Sequence, residues 1–356
     1  MRKLIHGFLI FLLILAFFPG CKPKNNSQYL SVRRMVDTIG FAKYSWQMDS
    51  ILLRMNNSTP ADFTWRVAIT PHDDYAYVGD LYPRILKGVR AKTIILFGVA
   101  HKARDFDLED QLVFDSFDVW NAPYGRVPVS GLRNDLTRQL SDSLFVVHDK
   151  MHQAEHSLEA VIPFLQSGQP DLEIVPVLVP YMSFDKMMQI ANPFAVALKQ
   201  VMSENELSWG KDLALVISTD AVHYGDKDWG GKNYAPFGTD SIGLQKAKDY
   251  ELEIIHNCLM GKITPQKIQS FINYTVQEDN YKEYKWTWCG RYAVPLGLLT
   301  AYTLDSLMGG EELQGVFVGY SSSVDHAPLK VHDLNMGTTA PAYNHHWVGY
   351  AAVGYE

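Results

Sequence analysis

Asp212-Leu213-Ala214-Leu215-Val216-Ile217-Ser218-Thr219-Asp220-Ala221-Val222-His223-Tyr224 is the stretch whose reading decides the fold. Its first half is a continuous apolar run, not an alternating one. Such a run suits a strand buried on both faces, the usual state in a parallel sheet covered by helices. Three more runs read the same way: Arg66 to Thr70, Lys92 to Gly98 and Glu173 to Val179. Helix patterns lie between and after them, at about 79–89, 130–141, 155–166, 183–203, 239–259, 264–273 and 294–308. Gln111 to Val119, Val316 to Tyr320 and Trp347 to Val353 add candidate strands. Strand–helix alternation of this kind predicts an α/β domain, with a central mostly parallel or mixed sheet flanked by helices. Nothing resembling a linker divides residues 61–356, so they read as one domain, with an insertion-like stretch from Ser321 to His346.

The second half of the quoted stretch is polar, and that is where function is expected. Open parallel sheets bind ligands outside the carboxyl ends of their strands. The 66–70 run passes into Pro71-His72-Asp73-Asp74-Tyr75, and the 92–98 run into Val99-Ala100-His101-Lys102. The 212–219 run passes into Asp220 and His223. Each of these three strand ends has a His within four residues. Trp288-Cys289-Gly290-Arg291 stands just before a helix expected to start near Pro295. Together these residues point to a shared site at one edge of the sheet.

Composition limits the function classes. The chain has 356 residues, 47% of them hydrophobic and 20% charged, as in an ordinary globular protein. Its 32 Lys+Arg against 39 Asp+Glu argue against a nucleic-acid partner. Three cysteines exclude a disulfide scaffold. No Walker loop, Gly-rich dinucleotide fingerprint or Gly-x-Ser-x-Gly elbow occurs.

Residues 1–20 read as a targeting segment. Arg2 and Lys3 precede an apolar run from Leu4 to Phe18, and Gly20 stands directly before Cys21. The run is shorter than the roughly 20 apolar residues of a membrane helix. Gly20-Cys21 resembles a bacterial lipobox, although Phe18 and Pro19 depart from its usual residues. The expectation is export as a lipoprotein anchored to the cell envelope through acylated Cys21. Residues 21–60 then form a tether and N-terminal segment. The alternatives are a plain signal peptide or an uncleaved anchor.

In its motifs the chain resembles the Memo family, also called AmmeMemoRadiSam system protein B. Pro71-His72-Asp73-Asp74-Tyr75 stands where the family has Pro-His-Ala-Gly-Tyr, and Gly98-Val99-Ala100-His101 where it has Gly-Pro-Ser-His. Glu155-His156-Ser157-Leu158-Glu159, followed by Pro163-Phe164-Leu165, matches closely. Ser218 to Tyr224 resembles Ser-Ser-Asp-Leu-Ser-His-Tyr, and Cys289-Gly290-Arg291 with Pro295 resembles Cys-Gly-x-x-Pro. Val348-Gly349-Tyr350-Ala351 resembles the terminal strand. The resemblance implies a fold like that of class III extradiol dioxygenases. It also implies a metal site on His72, His101 and Cys289, with Asp220 and His223 in acid–base or orienting roles and His156 near the pocket. A thiolate in place of the dioxygenase carboxylate suits Fe(II) or Cu, and also Zn.

Several departures bear on the substrate. Asp73-Asp74 replaces Ala-Gly, so two carboxylates either hold the other ring nitrogen of His72 or add oxygen ligands. Lys102 replaces a frequent second His and either meets an anionic ligand or stays solvated. His148, His152 and His156 are spaced i, i+4, i+8 and would share a face on one helix. The preferred reading makes 149–153 a loop and puts His156 in the first turn of a helix, with Glu155 and Glu159 as first-turn charges. Cys258 reads as a core cysteine, with a Cys258–Cys289 disulfide as the competing possibility. His345-His346 reads as an inert pair. Tyr281, Tyr284, Trp286 and Trp288 read as core or pocket wall. Three functions follow: a metal-dependent oxidoreductase or dioxygenase-like enzyme, a non-catalytic binder of small molecules or peptides, and a hydrolase using Cys289 as nucleophile.

Overall fold

The computed structural model describes residues 30–55, 63–310 and 312–356. The signal segment and Cys21 lie outside the described residues, as does most of the tether.

The four apolar runs form adjacent strands. Val67–Thr70, Leu213–Ser218, Thr93–Val99 and Glu173–Val179 lie side by side in that order, all parallel. Their side chains divide between two cores. Val67, Ile69, Ile95, Phe97, Leu215 and Ile217 face one. Ala68, Ile94, Leu96, Ala214 and Val216 face the other. This period-2 alternation, with both faces apolar, is why the runs read as continuous. Helices Phe184–Glu204 and Ala293–Met308 cover the first face, and Leu81–Leu86 and Ile162–Gly168 cover the second.

The sheet is mixed. His346–Tyr355 pairs antiparallel with Val67–Thr70, and Gln314–Ser322 pairs antiparallel with His346–Tyr355. Leu112–Phe114 runs antiparallel to Glu173–Val179, and Phe145–Val147 parallel to Leu112–Phe114. His223–Gly225 branches off onto His346–Tyr355.

Several elements differ from expectation. The single strand expected over 111–119 breaks after Phe114, and Val119–Ala122 joins a separate small sheet. Buried Asp115 makes the break by accepting from Trp120 Nε1 at 2.7 Å and Arg133 Nη1 at 2.8 Å. The helix expected at 79–89 is confined to Leu81–Leu86, and a separate short helix, Tyr75–Val78, precedes it across Gly79 with φ +61°. Residues 149–153, expected to be a loop, lie in helix Asp149–Ala154, with the His148 ring accepting from Met151 N–H at its start. The helix expected at about 155–166 begins only at Ile162. Glu155 and Glu159 are therefore not first-turn charges. Glu159 pairs with buried Arg33, and it also accepts Val36 N–H at 2.9 Å and Asp37 N–H at 2.6 Å.

That ion pair also extends the domain. Ser31–Glu356 forms one compact unit, so it starts well before residue 61. Arg33 lies 4.3 Å over the Trp120 ring, and Val32–Arg33 pairs with Val119–Ala122.

Candidate metal centre

Three neighbouring parallel strands end together, and each delivers a polar residue to one edge. Val67–Thr70 leads to His72, Leu213–Ser218 to Asp220, and Thr93–Val99 to His101. Cys289 arrives from another direction. Trp288 bridges Val222 in antiparallel fashion, and helix Ala293–Met308 starts just beyond. Gly290 permits this approach, because a Cβ there would stand 2.2 Å from Thr219 Oγ1.

His72 is buried and held on three sides. Its Nδ1 lies 2.9 Å from Ser218 Oγ, whose own hydrogen goes to the Ser157 carbonyl at 2.6 Å. Its backbone N–H donates to Asp220 Oδ1 at 2.9 Å. Burial, reinforced by His101 and His156, pushes the ring well below the usual histidine range, so it stays neutral. Its Nε2 lies 3.5 Å from Cys289 Sγ.

His101 is fixed by Glu155, with Nδ1 at 2.9 Å from Oε1 and its backbone N–H donating to Oε2 at 2.7 Å. The same carboxylate accepts His156 and Ser157 N–H, both at 2.9 Å. Burial opposes charge on both partners, yet their attraction prevails. His101 is lifted to about 10, and Glu155 stays ionised well below the usual carboxylate range. His156 stacks on His101 with ring centres 4.9 Å apart and planes 12° apart.

Candidate ligand atoms of His72, His101 and Cys289 all lie within 4.8 Å of one another. A tetrahedral ion with metal–nitrogen of ~2.0 Å and metal–sulfur of ~2.3 Å needs a nitrogen–sulfur edge of roughly 3.5 Å. The His72–Cys289 separation of 3.5 Å is that edge. Both rings have Nδ1 engaged and Nε2 left over, the usual arrangement of metal-binding histidines. The donor set therefore fits a metal ion. Burial raises the Cys289 thiol, while His101 and the Asp220 N–H, 3.1 Å from Sγ, pull it down.

Asp220 and His223 flank the thiol, with Asp220, His223 and Cys289 ligand atoms also within 4.8 Å. Burial, with Asp73 adding repulsion, raises Asp220 well above the carboxylate range. Burial lowers His223 to about 3, and its Nε2 is buried without a partner among the described residues.

The remaining sequence candidates separate. Asp73 does not hold the His72 ring; it accepts from Tyr350 Oη at 2.6 Å. Asp74 accepts from Thr339 N–H at 2.5 Å and Thr339 Oγ1 at 3.1 Å. Neither is a spare oxygen ligand. Asp74 also adopts φ −46°, so this position does not need glycine. Tyr75 is in the core, its hydroxyl donating to the Ala160 carbonyl at 2.8 Å. Lys102 is exposed. Arg291 is buried with its guanidinium 3.6 Å over the Tyr284 ring. His152 is buried, Nε2 at 3.0 Å from the Val113 carbonyl. Cys258 and Cys289 are both free thiols, so they do not form the disulfide.

Sequence reasoning missed two parts of the pocket. Ser218 opens a family-like motif in the sequence, but nothing there assigns it the role of holding the His72 ring. His346 is buried and stacks 3.8 Å from Trp229, which in turn faces His223 at 5.3 Å. His345, the other member of the pair, is half-buried, and its Nδ1 is 2.7 Å from Asp226. The signal for His346 was its place directly before the apolar run of the last strand; Trp229 had none.

Comparison with known proteins places the sequence among relatives. A MEMO1 family protein of Methanococcoides burtonii is 28% identical over 159 residues, 44% of this chain and 54% of that protein. One of Aquifex aeolicus is 28% identical over 162 residues, 45% and 54%. One of Thermococcus kodakarensis is 25% identical over 202 residues, 54% and 63%. The chain thus spans about half the length of the curated relatives it matches. The model of the Memo-like protein family matches residues 44–332, which takes in both histidines, Asp220, His223 and Cys289, and this chain belongs to that family.

Proposed function

We propose that this protein binds a metal ion through His72, His101 and Cys289 and acts as a metal-dependent oxidoreductase related in chemistry to ring-cleaving dioxygenases. The observation that carries the reading is the gathering of two imidazole nitrogens and one sulfur within 4.8 Å at the strand ends. An iron or copper ion bound there supplies redox chemistry and Lewis acidity, and its thiolate ligand makes it electron-rich. The chain's own residues handle protons. Asp220, raised by burial, holds a proton that it can donate. His223, kept neutral, has a free Nε2 to receive one. Two titratable groups pushed in opposite directions form a natural acid–base pair.

Anaerobic loading with Fe(II) or Cu, followed by absorption spectroscopy, tests the reading. Wild type should develop a sulfur-to-metal absorption band that Cys289→Ala lacks. Absence of a metal-dependent spectrum in wild type overturns it.

A second reading keeps the pocket and drops turnover. Buried His223 Nε2, Trp229 Nε1 and His346 Nε2 all lack partners among the described residues, which suits a polar small-molecule or peptide ligand. Turnover of any oxidisable substrate counts against a pure binder. The protein is also proposed to be exported and anchored through lipid on Cys21, on the strength of the Gly20-Cys21 motif. Detergent phase partition of wild type against Cys21→Ala tests the anchor.

A further inference from the structure

Glu251, in helix Ser241–Ile254, is fully buried and has no cationic partner among the described residues. Its oxygens are nevertheless occupied. Oε1 accepts from the indole N–H of Trp286 at 2.5 Å and of Trp288 at 2.7 Å. Oε2 accepts the backbone N–H of Val222 at 3.0 Å. Val222 and Trp288 face each other across the antiparallel bridge, and the next residues along are His223 and Cys289. Thr287 reinforces the bridge, its hydroxyl donating to the His223 carbonyl at 2.6 Å.

We infer that Glu251 is a positioning residue that locks Cys289 and His223 in place from behind. Burial lifts Glu251 to about 7 while the donors around it favour the ionised form, and an ionised carboxylate suits this place because it only accepts. Three donors converge on it, and indole and backbone N–H groups cannot reverse their roles. A glutamine would fill the same space but turn an N–H₂ toward one of the donors. Leaving a buried donor unpaired is costly, and the strain falls on the bridge beside the thiol. Trp286 and Trp288 are therefore donors to the clamp as well as core rings.

The test uses the metal-free full chain and does not depend on the metal reading. Iodoacetamide labelling is followed by mass spectrometry of the peptides holding Cys289 and Cys258. Cys258 is buried in the segment Ile255–Leu259, which continues the helix that carries Glu251, so its labelling reports opening of that helix or of the whole fold. Glu251→Gln should raise Cys289 labelling about tenfold, the order expected from losing one hydrogen bond to a charged group, with Cys258 still protected. Cys289 labelling that stays within about twofold of wild type overturns the proposal, as does an equal rise at both cysteines. If Glu251→Gln does not fold, Trp288→Phe removes the donor that adjoins Cys289 in the chain while keeping a ring against Phe271, and the same outcomes decide.

Discussion

Ser218 sets the tautomer of His72. Its single hydroxyl hydrogen goes to the Ser157 carbonyl at 2.6 Å, so the 2.9 Å contact with His72 Nδ1 must be donated by the ring. His72 Nε2 is then left with a lone pair facing Cys289. Ser218→Ala should lower metal affinity about 10- to 100-fold, as loss of a partner behind a ligand usually does. Competition against a chromophoric chelator measures it. Unchanged affinity would mean that the tautomer is set by something other than Ser218.

Glu155 and His101 support each other's charge, and the pH dependence follows from their shifts. His101 is raised to about 10, so its share of the stability is complete below the ordinary histidine value of 6.5. It is lost as pH rises toward 10. Glu155 is depressed, so its share is complete above the ordinary value of 4.5 and is lost as pH falls through the lower folded value. The pair stabilises the metal-free protein most between those two ordinary values. In Glu155→Gln, His101 should titrate far below 10, visible by NMR of the imidazole carbons. An unshifted titration counts against Glu155 as the cause.

Metal loading should release protons. The metal-free protein carries a proton on His101 near neutral pH, and burial keeps the Cys289 thiol protonated. Both must leave before these groups become ligands. Calorimetry in buffers of different ionisation enthalpy should find about two protons released per ion, with affinity rising as pH rises. Release of none would exclude His101 or Cys289 from the ligand set.

The parallel core and its strand-end residues were legible because buried strands leave continuous apolar runs, with polar residues where each run stops. Asp115 and the 155–161 segment were not. Asp115 looks like any surface aspartate until Arg133 and Trp120, distant in kind or in sequence, close on it. Glu155 has a neighbourhood that reads as a helix start, and only the fold brings the backbone and ring of His101 to its carboxylate. The same holds for Glu251, which looks like one more polar position on an amphipathic helix until two indoles converge on it. Local propensity carries no trace of such long-range partners.

The two described cysteines should separate cleanly. Cys289→Ala removes the sulfur ligand and should abolish tight metal binding while the fold persists. Cys258 lies in the π-helical segment Ile255–Leu259, fully buried, and burial pushes its thiol up to about 12. Cys258→Ala should leave metal affinity unchanged and cost about 1 kcal/mol of stability from the small cavity. Urea unfolding and metal titration on both variants check this. Loss of metal binding in Cys258→Ala would contradict the assignment.

Gly290 offers the sharpest steric test. A Cβ on it would stand 2.2 Å from Thr219 Oγ1 and 2.4 Å from Thr219 Cβ. Thr219 cannot simply turn aside. Its hydroxyl accepts Gly290 N–H at 3.0 Å and donates to the Asp220 carbonyl at 2.7 Å, and the Asp220 N–H in turn touches Cys289 Sγ. Displacing it moves the thiol and the pocket carboxyl together. Gly290→Ala should therefore cost roughly 1–3 kcal/mol, as overpacking a filled core does, and weaken metal binding as well. Gly131→Ala is the control, since a Cβ there meets nothing within 4 Å and φ is −56°. The two variants are compared by urea unfolding and chelator competition. If Gly290→Ala behaved like the control in both, the Thr219 contact would not be what holds Cys289 against His72.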